Sequence, residues 1–133
     1  MDVIEHFRGA RNIKDVPSGL VLFREGEPGT EMYVMLEGVA EVSVGGEIVE
    51  LATPGTLLGE MSLVDSAQRS ATVVTRTDCR VVAVDTKQFD LLVRESPQFA
   101  RHVMTVMAGR LRRMNERLKD AVTELNVRGR RPR

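Results

Sequence analysis

The sequence predicts an α+β domain: a small antiparallel barrel or jelly roll, followed by two helices of which the last is long. Three observations carry that expectation. From Asn12 to Asp85 apolar and polar residues alternate with period two in short runs. Gly- and Pro-containing breaks separate those runs at close spacing, the pattern of small all-β barrels. Near Thr86 the period lengthens to that of a helix and holds to about Leu125.

The chain of 133 residues is long enough for one domain with a single core. Its 42% hydrophobic and 29% charged content places it among soluble globular proteins. Nineteen Lys and Arg balance nineteen Asp and Glu, so no global field favours nucleic acid or an acidic membrane. No apolar run approaches the ~18–20 residues that span a bilayer. The opening "MDVIEHFRGARNIKD" lacks the apolar core of a secretory signal, and a cytoplasmic location is expected. Cys79 is the only cysteine, which excludes an intramolecular disulfide and reads as core packing in a strand. His6 and His102 stand far apart, without a carboxylate or cysteine at metal-ligand spacing, and read as surface residues. Neither a metal, nor a cofactor, nor an enzyme activity is expected.

In chain order, a short N-terminal element precedes Asn12. The stretch "GLVLFREGEPGTEMYVMLEGVAEVSVGGEIVEL" then alternates between turns, one of them expected at Glu27-Pro28-Gly29. Gly45-Gly46, between "AEVSV" and "EIVEL", is a two-residue hairpin signal, because both positions of such a turn can need positive φ. "SATVVT" and "CRVVAVD" return to β-branched strand composition. A first helix starts with Thr86 as cap and places Phe89, Leu92 and Val93 on one face. Ser96 then caps a second helix with Pro97 at its first position, and Gly109 is that helix's weak point.

Along this last helix Met104, Met107, Leu111, Met114, Leu118, Ala121 and Leu125 recur at alternating spacings of three and four. That is a heptad seam, narrower than the face a helix turns to a broad core. Two readings follow: a homodimer through the seam, or packing of the stripe back on the barrel. Both hold together if the first turns pack on the barrel and the later ones on a partner. The domain therefore divides into residues 1–95, the long helix over 96–126, and a basic tail over 127–133, expected to be disordered. The tail's four arginines have no aromatic partners, and contact with nucleic acid or an acidic partner is the alternative.

The chemistry concentrates in "GEMSLVDSAQRSATV", residues 59–73. Gly59 permits close backbone approach, and "EMSLV" starts a short helix at Glu60 whose free N–H groups suit an anion. Arg69 adds a planar, permanently charged fork for phosphate oxygens, and the small Ser70 and Ala71 leave their amides accessible. Glu60 repels a phosphate and instead accepts from a hydroxyl such as that of a ribose. The competing reading is a surface ion pair between Glu60 and Arg69, worth little.

This stretch resembles the phosphate-binding cassette of the cyclic nucleotide-binding domain family, whose members include catabolite activator protein-like and protein kinase A regulatory subunit-like domains. "LVLFREGEPGTEMYVMLEGVAEV" and "CRVVAVDTKQFDLLV" resemble the family's blocks on either side, and the resemblance covers roughly residues 12 to 120. It implies an antiparallel β-roll with flanking helices that binds a 3′,5′-cyclic nucleotide. Arg69 would hold the phosphate with the amides of Gly59, Ser70 and Ala71, and Glu60 would accept from the ribose 2′-hydroxyl. Met61 and Leu58 would line the pocket or simply belong to the core. Met114 and Asn115 match positions that meet the purine on the long helix, one across a dimer. Met114 departs from the small hydroxyl residue found there, while the Asn115 amide can donate and accept. No aromatic residue follows Phe99, so an aromatic cap on the base is not expected. Ser70 fits either purine, and cAMP is favoured over cGMP. Transcription regulators of the family continue into a helix-turn-helix domain, for which "NVRGRRPR" is too short. If the chain is complete, a stand-alone sensor is expected that signals through its C-terminal helix to an effector, with no DNA-binding domain and no membrane segment. The alternatives are a scaffold of the same fold that binds no nucleotide, and a fragment of a larger transcription regulator or channel.

Overall fold

The computed structural model describes residues 1–65 and 67–129. Its elements run α1 (Val3–Phe7), β1 (Ile13–Val16), β2 (Val21–Phe23), β3 (Glu31–Glu37), β4 (Ala40–Val44), β5 (Glu47–Ala52), β6 (Leu57–Leu58), α2 (Glu60–Asp65), β7 (Thr72–Thr75), β8 (Cys79–Asp85), α3 (Thr86–Glu95) and α4 (Pro97–Gly129). The strands form two four-stranded antiparallel sheets, ordered β1-β8-β3-β6 and β2-β7-β4-β5. The expected antiparallel β-roll with flanking helices is the fold observed.

Two cores explain why β3 and β8 read as nearly continuous apolar runs. Met32 and Val34 of β3, with Val82 and Val84 of β8, face the helices and join Phe7, Phe89, Phe99 and Val103. The intervening Tyr33, Met35, Val81 and Ala83 face into the roll with Phe23, Leu58 and Cys79. A strand buried on both faces loses its polar alternation while keeping period two. β6 is split in the same way: Leu57 joins the helical core and Leu58 the inner one.

The Gly45-Gly46 turn joins β4 to β5, with φ of 58° and 85°. The other expected turn lies two residues earlier. Glu27 N–H bonds the Arg24 carbonyl at 3.1 Å, with Gly26 at φ 86°, while Pro28 forms a bridge to Gln68. Gly26 takes the left-handed position, which β-carbon sterics deny to Glu27 or Pro28. The cap of α3 is Asp85, not Thr86: its carboxylate accepts from Gln88 N–H at 2.8 Å, and the Gln88 side chain accepts from Asp85 N–H at 3.0 Å. Aspartate with a glutamine three residues on completes a reciprocal capping box that threonine one position later cannot form. Phe89 is buried and Leu92 half-buried, but Val93 is exposed. Ser96 does cap α4, its hydroxyl accepting from Phe99 N–H at 3.3 Å with Pro97 at the first helical position.

α4 continues to Gly129, past the expected end near residue 126, so residues 127–129 of the predicted tail are helical. An Arg128–Glu124 pair at 2.7 Å, one turn apart, sits in that extension. Residues 130–133 of the tail lie outside the described residues. α4 carries two faces. Phe99, Val103 and Val106 pack on the roll, and Met107 joins them. The rest of the seam is turned away: Met104, Leu111, Met114, Leu118 and Leu125 are each at least 60% exposed, and Ala121 is exposed too. Among the described residues no helix is long and apolar enough to cross a membrane.

Candidate phosphate and sugar site at the cassette

β6 pairs with β3 through Tyr33–Leu58 and Val34–Leu57, which fixes the strand that feeds the cassette. Gly59 follows at φ 76°, a left-handed turn that redirects the chain into α2. Glu60 opens α2 as expected, but its side chain is only 1% exposed. At the far lip, Arg69 is stapled by its backbone to the turn after β2: Arg69 N–H bonds the Glu27 carbonyl at 2.8 Å, and Gly26 N–H bonds the Arg69 carbonyl at 2.9 Å. The turn at Arg24–Glu27 therefore supports the cassette.

Glu60 and Arg69 do not pair with one another among the described residues. Arg69, 6% exposed, donates through Nη1 to the Gly59 carbonyl at 3.3 Å. Its guanidinium lies over the Phe23 ring, 4.2 Å from the centroid. Burial lowers its pKa, against the opposing pull of Tyr33, Glu31 and Glu27. An arginine stays protonated even so.

Glu60 is held instead by Arg110 of α4, whose Nη1 donates to Glu60 Oε1. The same guanidinium forks onto Glu50 of β5, with Nε–Oε1 at 3.3 Å and Nη2–Oε2 at 3.2 Å, and donates to the Leu57 carbonyl. Burial alone would lower the Arg110 pKa, but the Glu60 and Glu50 carboxylates outweigh it and raise it. Arg113 adds a second contact to Glu50 at 3.4 Å, and Arg117 donates to the Val49 carbonyl at 2.9 Å. A row of three arginines thus ties α4 to the outer edge of β5.

Two polar atoms in this region are buried without a hydrogen-bond partner: Glu60 Oε2 and Arg69 Nε. Such atoms cost about 1–3 kcal/mol each when left unsatisfied. Each belongs to one of the two residues expected to meet a ligand.

Ser70 is exposed, with its hydroxyl 3.9 Å from Met61 Sδ, and Ala71 is half-buried beside it. Met61 is 42% exposed on α2, whereas Leu58 is inner core at 2%. Met114 and Asn115 are exposed. At about 100° per residue, Asn115 lies about 140° around α4 from Arg110, away from the face that Arg110 turns to Glu60.

A groove of about 400 Å³ lies between β5 and α4, lined by Arg110 with Glu50, Thr56, Leu57, Thr105, Gly109 and Arg113 among others. Glycine at 109 leaves that wall of α4 open. Sequence reading missed Arg110, Glu50 and Phe23. A signal for Arg110 existed: it stands seven residues after Val103 and four after Val106, on the stripe that packs on the roll. An arginine in line with buried residues needs a buried carboxylate.

Comparison with known proteins agrees with this geometry. Residues 13–96 match the model of the cyclic nucleotide-binding domain. The chain is 30% identical over 113 residues to a CRP-like cAMP-activated global transcriptional regulator of Mycobacterium tuberculosis, covering 81% of this chain and 50% of the relative. It is 37% identical over 98 residues to a cyclic nucleotide-gated potassium channel of Mesorhizobium japonicum, covering 74% and 27%. The catabolite activator protein of Thermus thermophilus superposes with a TM-score of 0.75 at 30% identity, over 83% of this chain and 54% of that one. The chain thus spans half or less of the length of these curated relatives. With two facing sheets, a glycine-led cassette and a match across more than half its length, the chain belongs to the cyclic nucleotide-binding domain family.

Proposed function

We propose that this chain is a sensor for a 3′,5′-cyclic nucleotide, a binding module rather than an enzyme, and that it relays occupancy through α4. The observation that carries the reading is the division at the cassette. Glu60 and Arg69 are both buried, unpaired with each other, and each keeps one polar atom unsatisfied. Arg69 with the amides of Ser70 and Ala71 holds the cyclic phosphate, while Glu60 beside Gly59 accepts from the ribose 2′-hydroxyl. Glu60 Oε1 is occupied by Arg110, so the hydroxyl goes to Oε2. Ligand and helix then grip one carboxylate from two sides.

The base enters the groove between β5 and α4, where Arg110 and Glu50 stand. cAMP is favoured over cGMP. The adenine 6-amino group can donate to the Glu50 carboxylate, where guanine presents an acceptor oxygen. Asn115 contributes to a base only across a homodimer formed by the exposed seam, with Met114 beside it. Between α3 and α4 only Ser96 is non-helical, at φ −129° and ψ 92°, and it serves as the hinge for a population shift of α4. The chain acts in the cytoplasm on an effector outside the residues described.

Titration calorimetry with cAMP and cGMP, against Arg69→Ala, tests the site. Removing the counter-charge of a desolvated phosphate costs about 2–5 kcal/mol, roughly 30-fold to several thousand-fold in affinity. A wild-type chain that binds neither nucleotide, or an Arg69→Ala chain that binds equally well, leaves only a scaffold of the same fold.

A further inference from the structure

We propose that Phe23 is a positioning residue for Arg69: its ring face holds the buried guanidinium where a carboxylate would ordinarily sit, and so leaves the charge undischarged for an anionic phosphate. The proposal rests on the ligand reading above and adds a residue to it.

An arginine as enclosed as Arg69 normally sits on an acidic partner. Among the described residues Arg69 has no ion pair. The two carboxylates whose charge reaches it are held by other groups. Glu27 accepts from the Arg24 amide at 2.6 Å, and Glu31 meets the Tyr33 hydroxyl at 3.4 Å and Lys14 at 3.6 Å. What faces the guanidinium is the Phe23 ring. Tyr33 stands beside that ring, with centroids 6.1 Å and planes 19° apart, and its own centroid lies farther from the guanidinium, at 6.0 Å; both are inner-core residues.

The opposite wall of the slot is backbone. A β-carbon at Gly29 would stand 2.7 Å from Arg69 Nε, and one at Gly59 would collide with Nη1. Ring and glycines fix the plane of the fork, and Nη1 is tied to the Gly59 carbonyl. Nη2 makes no hydrogen bond among the described residues, and Nε has none. A ring quadrupole attracts a cation without neutralising it. A carboxylate in the same place would compete with phosphate and repel it.

The test compares Phe23→Tyr, Phe23→Trp and Phe23→Leu for cyclic nucleotide affinity by calorimetry, each first shown folded by thermal unfolding. A positioning role predicts that the two aromatic variants bind within about 3-fold of wild type. Phe23→Leu loses roughly 2- to 30-fold, the range that a cation–π contact supports. A pure packing role predicts the reverse order, with leucine tolerated and tryptophan worst. In the ligand-free protein, the Arg69 Nε–H resonance, identified by its loss in Arg69→Lys, should move downfield in Phe23→Leu as the ring current disappears. Equal or tighter binding by Phe23→Leu, or an unmoved resonance, overturns the proposal alone. A wild-type chain that binds no cyclic nucleotide overturns the sensor reading and this proposal with it.

Discussion

Replacing Arg110 by alanine isolates the charge network beneath α4. The substitution strands Glu60, a carboxylate with 1% of its side chain exposed, and removes the fork on Glu50. Taking one partner from a buried ion pair costs about 3–5 kcal/mol. Here the Arg110 and Glu50 side chains each keep 22% exposure, and Glu50 still reaches Arg113 at 3.4 Å. Solvent and Arg113 therefore absorb part of the cost, and about 2–3 kcal/mol is expected. At roughly 3–4 °C per kcal/mol for a domain of this size, Tm falls by about 6–12 °C. The assay is urea and thermal unfolding of Arg110→Ala, Glu60→Gln and the double variant. If the damage is the stranded charge, Arg110→Ala with Glu60→Gln is more stable than Arg110→Ala alone, because a neutral amide replaces the unpaired carboxylate. Additive losses, or a loss below about 1 kcal/mol for Arg110→Ala, refute the network.

Four further substitutions probe other parts of the chain. Gly59→Ala forces a β-carbon into a left-handed position and against Arg69 Nη1, so about 1–3 kcal/mol of stability and at least tenfold in nucleotide affinity should be lost; unchanged calorimetric affinity would show that the arginine is free to relocate. Leu111→Glu and Leu118→Glu, on a seam more than half exposed, should convert a dimer to a monomer in light scattering, and a wild-type monomer at high concentration refutes the seam. His102 has its pKa lowered by burial and by the Met1 ammonium, and its Nε2 is buried without a partner. The unfolded chain therefore takes up the proton more readily: stability is intact above the unfolded value near 6.5 and is lost as pH falls through the folded one. His102→Gln should flatten that decline in Tm below about pH 6.5, and parallel curves for the two chains would count against it.

The sequence showed the strands because the roll obeys a local rule: β3 and β8 keep period two even where both faces are buried, and Gly45-Gly46 is a turn that few other dipeptides make. Boundaries failed where one residue's chemistry outweighed its neighbours', as when Asp85 rather than Thr86 closed the capping box, or Gly26 rather than Gly29 took the turn. The cassette was legible because its residue types stand together within fifteen positions. Its supports were not, because Arg110 lies 50 positions from Glu60 and Glu50 lies 60 from Arg110. Phe23, 46 positions from Arg69, looks in sequence like any strand aromatic. Pairings across such separations depend on strand order, which alternation does not encode.

The placement of Arg110 also sets the sign of any coupling between ligand and helix. A phosphate arriving at Arg69 brings negative charge close to Glu60, and an ionised Glu60 without a partner would oppose it. Docked α4 brings Arg110 onto Oε1 and removes most of that opposition, leaving Oε2 for a hydroxyl donor. If the proposed site binds a cyclic nucleotide, helix docking would favour the ligand, and by reciprocity the ligand would favour helix docking by the same free energy. The two faces of α4 make that consequential. Phe99, Val103 and Arg110 commit one face to the roll, while Leu111, Leu118 and Leu125 project an unpartnered seam whose orientation follows from how firmly the first face is held. On the proposed sensor reading, a ligand that tightens Arg110 on Glu60 would act on the seam without touching it. Ser96 is the one non-helical residue between α3 and α4, and it is where the backbone can absorb the change.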